Sequence, residues 1–334
     1  MAASPRISVC MPSYNQERFL PKALDSALGH TFQNFELLIV DDGSEDSSLE
    51  IDRKYAALRP DRIKVFTHPN GENRGISAST NLALQNAGGE FVVILDSDDL
   101  WFPDTLERRL RFIEARPNIG LICSHYDLIN EHDDVIKKTA APDITEDCRS
   151  TLALTHRMIM GCDIGNPTVM VRRSCLKGIE LFDPEVLHGD WEIWTRVVSN
   201  HPAAFLKEST ALHRRHDDNV TGHHSMEVEL QRRIAVMNAL LRKAVATGGA
   251  LALPRLRALI QLELCSYYFC LSKRQEAADA LAGAVRTDTT LFSDNGQYFT
   301  MWLTERPHLP QPRKDFHEWV LKLLHSIFDA GKGG

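Results

Sequence analysis

Phe91-Val92-Val93-Ile94-Leu95-Asp96-Ser97-Asp98-Asp99 is the stretch from which the rest of the chain can be read. Five apolar residues run straight into three acids within four positions. The apolar run is short, β-branched and preceded by Gly88-Gly89, the pattern of a strand buried on both faces. Its acids stand at the carboxyl end, where open α/β sheets bind ligands. Asp96 and Asp98, one residue apart, can share a hard divalent cation, and the cation can hold a diphosphate. Taken alone, the same residues also fit a strand ending in a solvated acidic turn, so the flanking sequence must decide.

Upstream, residues 7–11 read as an apolar strand ending at Pro12. Asn15 reads as the cap of a helix whose inward stripe is Phe19, Leu20, Ala23, Leu24, Ala27 and Leu28. Residues 36–40 form a second apolar run, and it too ends in acids, Asp41-Asp42. A polar helix, a third strand at 63–67, a turn-rich loop at 68–75 and a helix at 77–87 lead into the opening stretch. This strand–helix alternation predicts parallel strands with right-handed crossovers. Two strands then deliver acids to one edge of one sheet, which chance explains far less readily than one acidic turn.

Downstream, Pro103 starts a helix with Leu106, Leu110 and Ile113 inward, and 119–124 is a further strand. Residues 130–147 are polar and patternless and read as a loop. Strands are expected at 168–171, 203–206 and 211–215, and a helix opens at Asp190 and runs to about 200. After Thr221 the character changes to helices, at 225–246, 251–271, 275–286 and 315–329. The expected division is therefore an α/β domain over 1–221, in two halves that meet at about residue 100, and a helical region over 222–334.

The net charge of −7 argues against a general nucleic-acid-binding surface. Seven scattered cysteines without a Cys-x-x-Cys pair fit reduced thiols better than a disulfide framework or a zinc ribbon. No apolar run reaches the length of a transmembrane helix, and residues 1–6 carry no signal-peptide pattern. The expectation is a cytoplasmic protein that reaches any membrane-borne substrate from the inner face.

Five motifs carry a resemblance to the family 2 glycosyltransferases. They are Ser8-Val9-Cys10-Met11-Pro12-Ser13-Tyr14-Asn15, the strand and turn at 35–44, Asn73-Arg74-Gly75-Ile76-Ser77 followed by Asn81, the opening stretch, and His188-Gly189-Asp190-Trp191-Glu192-Ile193-Trp194. They occur in the family's order over roughly residues 6–220. The resemblance implies a GT-A fold, a Rossmann-like mixed, mainly parallel sheet flanked by helices, here with a C-terminal α-helical extension. It implies an inverting transferase of hexosyl or N-acetylhexosaminyl type, with a nucleotide-sugar donor, UDP-linked by expectation, and Mn2+ or Mg2+ as cofactor. Acceptors would be glycan, lipid-linked or protein, in cell-surface glycan synthesis or protein glycosylation. The helical region would cover the acceptor site, form a homodimer or dock on a membrane or partner.

Site roles follow by the same resemblance. Asp190 matches the general base, although a helix-start acid can equally be an N-cap. Asp98 matches the metal ligand, with Asp96 and His216 as further candidates. Asp42 would accept from a uracil-like base, Tyr14 would stack on it, and Pro12, Arg74, Asp96 and Ser97 would line the nucleotide sugar. Arg214 is a candidate for the diphosphate and Trp191 for an acceptor wall, against a core-packing role. Arg172-Arg173 read as a solvated pair. The chain departs from the family at Thr80, where Arg is frequent, and at Gly189, where Glu is frequent. Gln231-Arg232-Arg233-Ile234 does not meet the Gln-x-x-Arg-Trp motif of processive membrane synthases. A non-catalytic sugar-nucleotide or glycan-binding protein on the same fold is the alternative. No Gly-x-Gly-x-x-Gly follows the first strand, so a dehydrogenase finds no support.

Overall fold

The computed structural model describes residues 4–138, 150–162, 164–216, 225–292 and 313–330. Strands β1 (Ile7–Ser13), β2 (Phe35–Asp41) and β4 (Phe91–Ile94) are buried at every position, as their mainly apolar composition favours, and Ser8, Ser13, Glu36 and Asp41 are buried with them. β3 (Ile63–Thr67) is only partly covered and lies at the sheet edge. Helices α1 (Leu20–Leu28), α2 (Ser48–Leu58) and α3 (Ile76–Gln85) make the crossovers. The four strands are parallel in the order β3-β2-β1-β4.

The remainder of this unit extends the sheet in mixed sense. It comprises β5 (Leu100–Trp101), α4 (Thr105–Glu114), β6 (Leu121–Ile129), β7 (Val135–Lys138), α5 (Thr151–Met160), β8 (Met170–Arg172), α6 (Gly189–Asn200) and β9 (Ala203–Arg214). From β4 the order continues β8-β6-β9-β5, with β7 paired on β6. β4 meets β8 antiparallel, and β6 meets β9 parallel. A mixed α/β sheet of GT-A type, flanked by helices, is therefore what forms.

Several local expectations change. Residues 203–214 make one strand instead of two, with Arg215 outside it, because β9 stays on β6 through register shifts at Ser124/His125 and His125/Asp127. Part of the expected loop at 130–147 is strand, since β7 folds back on β6; residues 139–147 of it lie outside the described residues. Asn15 does not cap α1, which begins five residues later, at Leu20, behind Phe19. Its backbone is left-handed at φ 51°, its NH reaches Ser44 Oγ, and its Oδ1 accepts from Glu45 N at 2.8 Å. It ties the turn after β1 to the turn after β2.

Contacts divide the chain into units at 1–223 and 224–334. The second unit consists, among the described residues, of α7 (Met226–Thr247), α8 (Pro254–Cys270), α9 (Arg274–Thr287) and α10 (Arg313–Ala330). Ser225 caps α7 by accepting from Val228 N. α8 packs between α7 and α9, burying Leu259, Leu262, Cys265 and Ala277 completely. No described helix is long and apolar enough to cross a membrane.

Candidate active site

Register brings the acidic strand ends together. Ser13 pairs with Asp41, Cys10 pairs with Ile94, and Leu95 N donates to Cys10 O at 3.0 Å. The turns after β1, β2 and β4 consequently open at one edge. Tyr14 stands there 44% exposed, while Pro12 is buried inside β1 opposite Val40 and offers no ring surface.

Asp42 is buried and already occupied by its own chain. Its two oxygens accept from Arg74 N and Gly75 N, each at 2.8 Å, and His68 Nε2 lies 3.4 Å from Oδ1. The carboxylate thus shapes the 68–75 loop. The Arg74 side chain points to solvent and pairs with Glu72 at 3.1 Å. Gly43 follows at φ 77°, and a Cβ there would meet Gly71 O at 2.5 Å, so this close approach needs glycine.

The turn after β4 divides its acids by task. Asp99, fully buried, accepts from Arg214 N at 2.8 Å and contacts His213 Nδ1 at 3.0 Å. Burial would lower the imidazole pKa, but the charge and hydrogen bond of Asp99 outweigh it and push His213 up to about 9. Asp99 is therefore the anchor of β9. Ser97 is buried in the turn. Asp98 remains partly open, 14% exposed, and lies 3.0 Å from His216 Nε2. Asp96 has a buried Oδ1 with no hydrogen-bond partner. Burial, then the charges of Asp99 and Asp98, raise its carboxyl well above the usual range, and the Asp190 charge adds to this.

Asp190 lies in the first turn of α6 without acting as its cap, which is His188. Desolvation raises its carboxyl pKa. The approach to it is held from two sides. Asn81 Nδ2 donates to Phe182 O at 2.8 Å, and Phe182 N donates to Asn81 Oδ1 at 2.9 Å. Arg196 pairs with Glu192 at 2.6 Å in full burial and donates to the carbonyls of Glu180 and Leu181. At Gly189 a Cβ would lie 3.1 Å from Ser77 Oγ and 3.2 Å from Phe182, so the glutamate frequent in the family would need both side chains to give by a few tenths of an ångström. Thr80 is buried and donates to Ile76 O.

Two further expectations are corrected, for Arg214 and for Arg172-Arg173, and Trp191 takes the core-packing alternative. Arg214 is fully buried; it donates to Asp98 O and Asn130 O and cannot face a diphosphate. Trp191 is buried, with Nε1 donating to Met158 O, and belongs to the core. Arg172 and Arg173 are no solvated pair, because they donate to the carbonyls of Ile119, Ile113 and Gly89. Sequence reasoning also missed His213, whose only signal was its place on a strand beside His216, and Asp52. Asp52 of α2 is fully buried, and both its oxygens lack a hydrogen-bond partner. Burial, then the Asp41 and Asp46 charges, raise it to about 8, although Ser13 close by favours the carboxylate slightly without a bond of normal geometry.

No three His, Cys, Asp or Glu side chains among the described residues form a ready-made metal cage. Asp98 and His216 still fit a divalent cation completed by phosphate oxygens, as magnesium and manganese are commonly held. The orphaned Asp96 Oδ1 points the same way, since an acid cluster with raised pKa values is what a cation relieves.

The chain belongs to glycosyl transferase family 2, a family of glycosyltransferases, whose model matches residues 8–168. Among its relatives, the Escherichia coli enzyme WfgD, a UDP-Glc:α-D-GlcNAc-diphosphoundecaprenol β-1,3-glucosyltransferase, is 31% identical over 195 residues, 58% of this chain and 70% of that one. Among solved structures, TarS of S. aureus in complex with UDP-GlcNAc superposes with a TM-score of 0.63 at 22% identity, covering 84% of this chain and 81% of that one. The mannosyltransferase PcManGT of Pyrobaculum calidifontis, in complex with GDP-Man and Mn2+, gives 0.54 at 19% identity, covering 99% and 87%. At these identities the two structures speak for the fold.

Proposed function

We propose that the protein is an inverting, metal-dependent glycosyltransferase that moves a sugar from a UDP-sugar to a hydroxyl of a lipid-linked glycan, in cell-surface glycan synthesis on the cytoplasmic side of the membrane. The observation that carries this reading is Asp190, a desolvated carboxyl with a raised pKa at a helix start, within electrostatic reach of the Asp96–Asp99 turn. A general base works best with a pKa drawn towards the working pH. Asp190 takes the acceptor proton as the hydroxyl attacks the anomeric carbon, and the nucleotide diphosphate leaves from the opposite face. Attack and departure on opposite faces invert the configuration. A divalent cation at Asp98 and His216 would neutralise charge on the diphosphate. Tyr14 stacks on the base, and Asp42 accepts from it while holding the 68–75 loop in place.

UDP is preferred as the nucleotide because WfgD uses UDP-Glc and TarS is solved with UDP-GlcNAc; WfgD also motivates the lipid-linked acceptor. The test measures free nucleotide released from a panel of UDP-, GDP- and dTDP-sugars, with and without EDTA. Release from one UDP-sugar, abolished by EDTA and restored by Mn2+ or Mg2+, is the expected result. Tight binding of a nucleotide sugar with no turnover on any glycan acceptor would instead make the protein a binding module.

A further inference from the structure

The corner between α7 and α8 has a composition that the catalytic reading does not use. From residue 230 to 262 there is no Asp or Glu, while Arg232, Arg233, Arg242, Lys243, Arg255 and Arg257 are basic, Arg233 being paired with Glu229 at 2.8 Å. The whole chain is at −7, yet residues 224–334 carry 14 Lys and Arg against 11 Asp and Glu. Positive charge is thus concentrated on the helical unit, and within it on this hairpin.

The tip of the corner is apolar and exposed. Val245 is 70% exposed and Leu253 44%, with Ala246 and Pro254 also in solvent. This is not a loose turn. Gly248 and Gly249 take positive φ, Gly248 N donates to Ala244 O, and Leu253 N donates to Ala250 O. Ala244, Ala250, Leu251 and Leu256 are buried directly beneath. The fold therefore holds Val245 and Leu253 outward, with Arg242, Lys243, Arg255 and Arg257 beside them in sequence on both helices.

An exposed apolar tip with exposed Arg242 and Arg255 and half-buried Lys243 and Arg257 close by in sequence matches the boundary between anionic headgroups and acyl chains. A second copy of this chain is a poor occupant, because a symmetric contact would press the same cations together. We propose that the α7–α8 corner is a membrane-docking surface that inserts Val245 and Leu253 among anionic phospholipids. This goes beyond the proposed reaction and holds whatever the acceptor.

The test is co-sedimentation of the full chain with vesicles of phosphatidylcholine alone or mixed with phosphatidylglycerol. Binding should require phosphatidylglycerol and weaken with salt. Arg242→Gln/Lys243→Gln should lower partitioning about 25-fold, at about fivefold per cation near the surface. Val245→Asp/Leu253→Asp should abolish it, with the circular dichroism spectrum unchanged because both side chains face solvent. Equal binding by the wild type and both variants, or binding indifferent to phosphatidylglycerol, would overturn the proposal. So would a dimer in light scattering that Val245→Asp dissociates while vesicles bind neither form, which would assign the corner to a second copy.

Discussion

Asp52→Asn tests the electrostatics behind the nucleotide edge most directly. Asp52 is fully buried, with no hydrogen-bond partner for either oxygen, and its pKa is raised from 3.8 to about 8. The folded state therefore holds the proton more tightly than the unfolded state. Its contribution is fully present below about pH 4 and is lost as pH rises to about 8. Each pH unit in that window costs at most about 1.4 kcal/mol. From pH 5 to pH 8 the wild type should lose up to about 4 kcal/mol that the variant, which cannot ionise, keeps. For a unit of this size that is a Tm gap widening by roughly 8 °C. Thermal unfolding of both proteins across pH 5 to 9 reads it out, and histidine titrations common to both cancel in the difference. Parallel Tm–pH curves would refute the reasoning.

Asp190→Asn should lower transfer by about 10²- to 10⁴-fold while calorimetric UDP binding stays within about twofold; near-normal turnover would remove Asp190 as the base. Asp98→Ala should weaken UDP binding in the presence of Mn2+ to the level the wild type shows in EDTA, and a variant that still responds to metal would contradict the ligand assignment. Arg196→Met breaks the buried ion pair with Glu192, which is 0% exposed, and should cost about 3–5 kcal/mol in urea unfolding. The double variant with Glu192→Met should recover most of that loss, and equal loss in both would show that the pair is not the cause.

The parallel half of the sheet was legible because its strands are short, mainly apolar runs alternating with helices, two of which, β2 and β4, run into acids that register carries to one edge. The helices of the second unit were legible from periodicity, to within a few residues at most ends. The division of labour within the site was not. Asp99 and Asp98 are neighbours of the same chemical type, yet one is sealed under β9 and the other stays open. That difference depends on a strand more than a hundred residues away and leaves no local trace. The same holds for Asn81, whose partner is the backbone of Phe182. Arg214 was misread for a related reason, and Trp191 was left between two roles: a charged or aromatic residue in a motif looks available until its burial is known. Asp52 escaped notice because an acid on a polar helix looks solvated.

The clasp between Asp99 and the end of β9 spans 114 and 115 positions of chain. During synthesis the acidic turn emerges from the ribosome long before the strand that closes it. At about 5–20 residues per second the delay is roughly 6 to 23 s. Through that interval the nascent chain carries Asp96, Asp98 and Asp99 without the backbone NH and imidazole that hold Asp99. The acidic turn is therefore completed late, and a product truncated before residue 213 lacks the clasp that holds Asp99 even though every acidic motif is present.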